Sequence, residues 1–142
     1  MTGYLVDTNV FSETRRRHVD VGVREWFDAM PKKELWMSVI TDLELERGVL
    51  VPRGSDPVLS QRLRRWLVSV RAGLMHPPLV VTDDIARVCA GIQVPDRRPL
   101  ADALIAAAAL HHGLTVVTRN VRDFDVPGCG CSTPSPSEVV VI

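Results

Sequence analysis

Asp7, Glu44, Asp102 and Asp123 each stand where an apolar run ends or where a helix-like segment begins. Asp7 closes YLV, Asp123 follows TVVT, and Glu44 and Asp102 fall early in amphipathic or apolar helical stretches. If the chain folds these positions together, four carboxylates share one crevice. That much negative charge is tolerable only around a divalent cation. Hard oxygen donors select Mg²⁺ or Mn²⁺, and no His/Cys cluster has zinc spacing. The chemistry implied is metal-assisted hydrolysis of a phosphodiester.

Each acid also has a plain structural reading when taken alone. Asp7 could cap a helix that starts after DTN. Thr41-x-x-Glu44 has the form of a capping box, in which Glu44 would return to the backbone of Thr41. Asp102 in the first turn of a helix is favoured by the helix dipole, and Asp123 could terminate a turn. The conjunction argues for a shared role. Asp102 belongs to a helix too apolar to face water, so its carboxylate must be neutralised or bound to a cation. Arg98 or Arg119 could supply the neutralising charge. Thr8, Asn9, Thr118 and Asn120 flank the acids and suit either orientation of carboxylates and water or ordinary turn chemistry.

Strands that alternate with helices must position these groups. YLV (4–6), ELWMSVI (34–40), LVVT (79–82), TVVT (115–118) and EVVVI (138–142) read as strands. Helical spacing covers 19–30, the run from Thr41 toward Gly48 or Pro52, and a segment capped by Asp56 with Val58, Leu59, Leu63, Trp66, Leu67 and Val70 on one face. A further helix starts at Asp83 or Asp84, and PLADALIAAAALHHG (99–113) is apolar on every side and should be buried. The order predicts an α/β chain with a mainly parallel sheet covered on both faces. Ligands in such sheets bind outside the carboxyl ends of the strands, where all four acids converge.

At 142 residues with 46% hydrophobic content, the chain suits one domain spanning 1–142. Its start lacks a basic, apolar signal segment, and no stretch is long enough to span a membrane, so a cytoplasmic location is expected. Three cysteines fit a reduced compartment, with Cys129 and Cys131 read as free thiols. Seventeen basic and seventeen acidic residues cancel, so any nucleic-acid contact must rest on local patches. The Arg15–Arg16–Arg17 run lies close to Asp7 and could meet phosphate, while Arg62, Arg64, Arg65 and Arg71 read as a solvated helix face.

Four blocks, LVDTNVFSE, SVITDLELERG, PLADALIAAAALHHG and VVTRNVRDF, resemble in order and spacing the PIN-domain ribonucleases of the VapC type, including the FitB-like subgroup. The resemblance covers nearly the whole chain, and only the GCGCSTPSPS loop departs from it. It implies a three-layer α/β/α PIN-like fold. It also implies an endoribonuclease toxin of a type II toxin–antitoxin system, held by a cognate antitoxin and generally a homodimer. The family's acidic quartet falls on Asp7, Glu44, Asp102 and Asp123 as ligands of Mg²⁺ or Mn²⁺, and its polar positions on Thr8, Asn9, Thr118 and Asn120. The 58–70 helix would face the antitoxin. Two other readings stay open: a strand-end Asp phosphatase, which would want an acid where Asn9 stands, and a binding module whose acids are only caps.

Overall fold

Alternation along two central strands divides the core into two halves. In β1 (Tyr4–Val6) and β3 (Thr115–Thr118), Leu5 and Val116 turn to one face, and Val6 and Val117 to the other. All four are fully buried, as expected for strands covered on both sides. The computed structural model describes residues 2–124 and 140–141. The Cys129/Cys131 loop and most of the expected last strand lie outside the described residues.

The sheet order is β2-β1-β3-β4, with β2 (Leu35–Trp36) and β3 parallel to β1 and β4 (Val140–Val141) antiparallel to β3. On one face pack α1 (Thr8–Glu13), α2 (Val21–Ala29), α3 (Val39–Leu50) and α4 (Pro57–Gly73), through Val10, Val23, Leu45, Val49, Leu63 and Leu67. On the other lie α5 (Asp83–Ile92), α6 (Leu100–His112) and α7 (Val121–Phe124), through Ile85, Cys89, Phe124 and the alanines of α6. The expected three-layer α/β/α architecture with a mainly parallel sheet is therefore present. Buried Ala103 and Ala106 to Ala109 let α6 lie close to the sheet, and Gly113 ends it in the left-handed region at φ 66°.

Several boundaries differ from the sequence reading, each for a local reason. The second strand shrinks from 34–40 to two residues, because Lys32–Glu34 forms a 3-10 turn and Ser38 leaves the ladder to cap α3. The 79–82 strand reduces to one parallel bridge between Leu79 and Ser38. Val58 was expected on the apolar face of α4 but is 72% exposed. Helix α3 starts two residues before Thr41, since the Ser38 hydroxyl accepts from the Ile40 N–H at 3.1 Å. The capping box at Thr41 therefore does not form. Arg64 and Arg71, read as solvated, instead hold α4 to α3 through Glu46 and Asp42.

Candidate functional site

The strand order decides where a site can be. From β1 the chain crosses to β2 on one side, then returns over β1 to β3 on the other, so the β1/β3 boundary is a topological switch point. The crevice outside the carboxyl ends of those strands opens there. Asp7 directly follows β1, and Thr118 is the last residue of β3. The two meet across the boundary: the Thr118 hydroxyl donates to Asp7 Oδ2 at 2.8 Å.

Asp7 also caps α1, its Oδ1 accepting from the Thr8 N–H at 2.7 Å. The cap and the shared cleft are thus compatible roles of one side chain. At 4% exposure, Asp7 is pushed up to about 6, chiefly by burial; the hydrogen bonds from Thr118 and Thr8 oppose the rise, and the charges of Glu44 and Asp123 add to it. Asp102, in the first turn of α6, is raised to about 7 by burial and by the surrounding Asp7, Asp123 and Glu44. It also shares a hydrogen bond with Asp123.

Glu44, freed from the capping role, reaches across from α3 and accepts from the Thr8 hydroxyl. Asp123, in α7, accepts from the Asn120 amide, and the Asn120 N–H bonds the Thr118 hydroxyl at 2.9 Å. Asp7, Glu44 and Asp102 line a common cleft of about 540 Å³ together with Thr8, Asn9 and Asn120. Asp123 is near enough to Asp102 to raise it but is not among the lining residues. Thr118 is fully buried beneath the floor. Asn9 accepts from the Arg119 N–H at 3.3 Å, pinning the loop after β3 to α1.

The oxygen-only donors suit a hard divalent cation, whose charge would relieve the repulsion that raises Asp7 and Asp102. Among the described residues, no three His, Cys, Asp or Glu side chains stand together as a preformed metal cage. Glu44 and Asp123 are turned toward Thr8 and Asn120 instead.

One charged centre of the cleft was missed at the sequence level. Glu13 is 4% exposed, accepts from Arg119 Nη1 at 2.8 Å and from the Asp20 N–H at 3.1 Å, and pairs with Arg16 at 3.2 Å. Arg119, weighed as a counter-charge for Asp102, thus binds Glu13. The available signal was helical spacing: Asn9, Ser12 and Glu13 share one face of α1. Arg47 lines the cleft one turn after Glu44 and was missed for the same reason.

The chain is similar to several known proteins. A plasmid stability protein StbB of Pseudomonas syringae pv. tomato is 35% identical over 92% of this chain and 96% of its own. Toxin FitB of Neisseria gonorrhoeae is 33% identical over 84% and 89%. VapC ribonuclease Y4jK of Sinorhizobium fredii is 31% identical over 92% and 96%. Among solved structures, FitAcB from Neisseria gonorrhoeae superimposes with a TM-score of 0.78 at 30% identity, covering 85% of this chain and 90% of that one. A toxin–antitoxin complex from Klebsiella pneumoniae does so at 0.67 and 26%, covering 94% and 98%. The PIN-domain family model matches residues 4–127, carrying β1, the switch-point crevice and every acid described above, and the chain belongs to the PIN-domain family.

Proposed function

We propose that this chain is a Mg²⁺- or Mn²⁺-dependent endoribonuclease and the toxin of a type II toxin–antitoxin pair, built as one domain over 1–142. The observation that carries the reading is the convergence of buried Asp7 and half-buried Asp102 on one switch-point cleft, each raised by burial and by neighbouring carboxylates. Mg²⁺ commonly binds one or two protein carboxylates and completes its shell with water and substrate phosphate. A site without a finished cage therefore fits it, with Asp7 and Asp102 as inner ligands and Glu44 and Asp123 acting nearby. When bound, the cation supplies positive charge against the phosphate and acidifies water for attack.

The protein groups do the positioning. Both oxygens of Asp7 are held, one by Thr8 and one by Thr118, so its orientation is set before any ligand arrives. The Thr8 hydroxyl aims Glu44, and the Asn120 amide aims Asp123. Glu13 keeps Arg119 at the cleft wall, where a guanidinium can meet a phosphate oxygen. The names of the relatives, a VapC ribonuclease and a FitB toxin, support RNA as substrate and a cognate antitoxin as partner. A homodimer and a cytoplasmic location belong to the same reading. No helix among the described residues is long and apolar enough to cross a membrane.

RNA cleavage by purified protein, with and without EDTA, tests the proposal beside Asp7→Asn and Asp102→Asn. Loss of cleavage in all three conditions is expected. Wild-type rates from Asp7→Asn would overturn the mechanism.

A further inference from the structure

The cleft does not end at the acids. Arg15 and Arg16, in the turn that follows α1, line both the acidic cleft and an adjoining groove of about 670 Å³. That groove is completed by Arg17 and by Arg62, Leu59 and Leu63 of α4. None of its lining residues is acidic, and all four arginines are exposed. In a chain of zero net charge, this is a local concentration of one sign directly beside a concentration of the other.

The arginine turn is also anchored. Buried Glu13 pairs with Arg16 at 3.2 Å and accepts from the Asp20 N–H at 3.1 Å, so one carboxylate ties the two ends of the turn together. Its backbone continues the helix: the Arg15 N–H donates to the Ser12 carbonyl and the Arg16 N–H to the Glu13 carbonyl. The same carboxylate holds Arg119 at 2.8 Å on the cleft wall. Cationic groups at the junction of cleft and groove are therefore held on a common buried post rather than scattered on flexible stems.

The geometry points to this groove as a binding site for the backbone of single-stranded RNA flanking the scissile phosphate, an inference that rests on the nuclease reading above. A polymer lying in the cleft must leave it, and the arginine groove shares a wall with the cleft. Its phosphates recur at every nucleotide, which matches a row of guanidiniums. Leu59 and Leu63 give the groove an apolar surface for sugars and base faces beside the guanidiniums. The groove thus selects for a strand longer than the residues that react.

The test uses Arg17→Ala/Arg62→Ala, two exposed positions outside the acidic cleft, with Arg17→Lys/Arg62→Lys as the charge-retaining control. Cleavage of a trinucleotide and of a longer single-stranded RNA is compared, and binding of the longer RNA is titrated against salt on the Asp7→Asn background. Expected for the Ala pair are a several-fold higher KM on the longer RNA with kcat kept, an unchanged trinucleotide reaction, and a salt slope reduced by about 0.7 per arginine. The Lys pair should recover most of the affinity. Equal KM for wild type and the Ala pair on the longer RNA would overturn the groove while leaving the nuclease reading intact. A parallel loss on both substrates, or preferential competition by polyglutamate, would also overturn it. If wild type cleaves no RNA, the nuclease reading fails; retained binding with the same slope loss would then still support the groove, and no binding would end both.

Discussion

Asp7 and Asp102 show how acids gathered in one cleft burden folding when no cation is present. A carboxyl whose folded value lies above its unfolded one favours folding while protonated and opposes it once ionised. With Asp7 at about 6 and Asp102 at about 7, stability of the metal-free protein should be highest below pH 4 to 5 as far as these two groups contribute. Their contribution is then lost as pH rises through 6 to 7. Asp102→Asn removes one of the repelling charges, so at pH 8 the metal-free variant should be more stable than wild type by roughly 1–2 kcal/mol, discounted for partial exposure. Urea unfolding at pH 5 and pH 8 checks this, and the gain should be clearly smaller at pH 5. Cleavage should be lost at both. Glu13 makes the opposite prediction. Glu13→Gln leaves Arg119 beside a neutral group and should cost about 1–3 kcal/mol, with cleavage reduced through loss of Arg119 placement. Full wild-type stability in the same urea assay would contradict the buried pairing.

At the scale of elements, α3 illustrates how capping decides where an acid of the cleft can reach. Ser38 begins the helix, leaving Glu44 on its second turn with no backbone N–H to satisfy. Thr41, the alternative cap, is buried with its hydroxyl unpartnered among the described residues. Thr41→Val should therefore be neutral or stabilising by up to about 1 kcal/mol, whereas Ser38→Ala should cost about 1 kcal/mol. Thermal melts of the two variants check both, and the reverse order would restore the Thr41 cap. The α3–α4 contact is electrostatic as well as apolar. Hydrogen bonds from Arg64 and Arg71 pull Glu46 down to about 2. Its contribution is present above the ordinary glutamate value and fades as pH falls toward 2. Because the groups are about one-third exposed, a Glu46→Ala/Arg64→Ala double-mutant cycle should give no more than about 1 kcal/mol, shrinking in high salt.

For the molecule as a whole, cation binding and folding should be linked. A cation that binds only the folded cleft raises the melting temperature by mass action, and it does so most where the carboxyls are ionised. Mg²⁺ or Mn²⁺ should raise Tm more at pH 8 than at pH 5, with EDTA reversing the rise and Asp7→Asn abolishing it. An equal shift in the Asp7→Asn protein would place the cation elsewhere.

Much of this organisation is legible without coordinates. The apolar run ending at Asp7, the caps at Asp56 and Gly113 and the all-round apolarity of α6 are local properties, set by side-chain periodicity and backbone preference. They suffice for an α/β order and for the suspicion that acids gather at strand ends. Where local signals competed, they misled: Thr41-x-x-Glu44 has every mark of a capping box, yet Ser38 wins because the Leu79 bridge draws the chain out of the strand just before it. Helical spacing could have placed Glu13 on the cleft face with Asn9 and Ser12, but its pairing with Arg119 and Asp20 is one that no periodicity connects to it.

What the linear chain determined is which residues are acidic, where the longer helices and the two central strands fall, and that Asp102 sits on a helix too apolar for water. What only the tertiary structure decided is who meets whom. Thr118 bonds Asp7 across 111 positions because β3 lies beside β1. Strand order, unlike strand identity, is settled by burial on both faces at once, and no short window of sequence contains that competition.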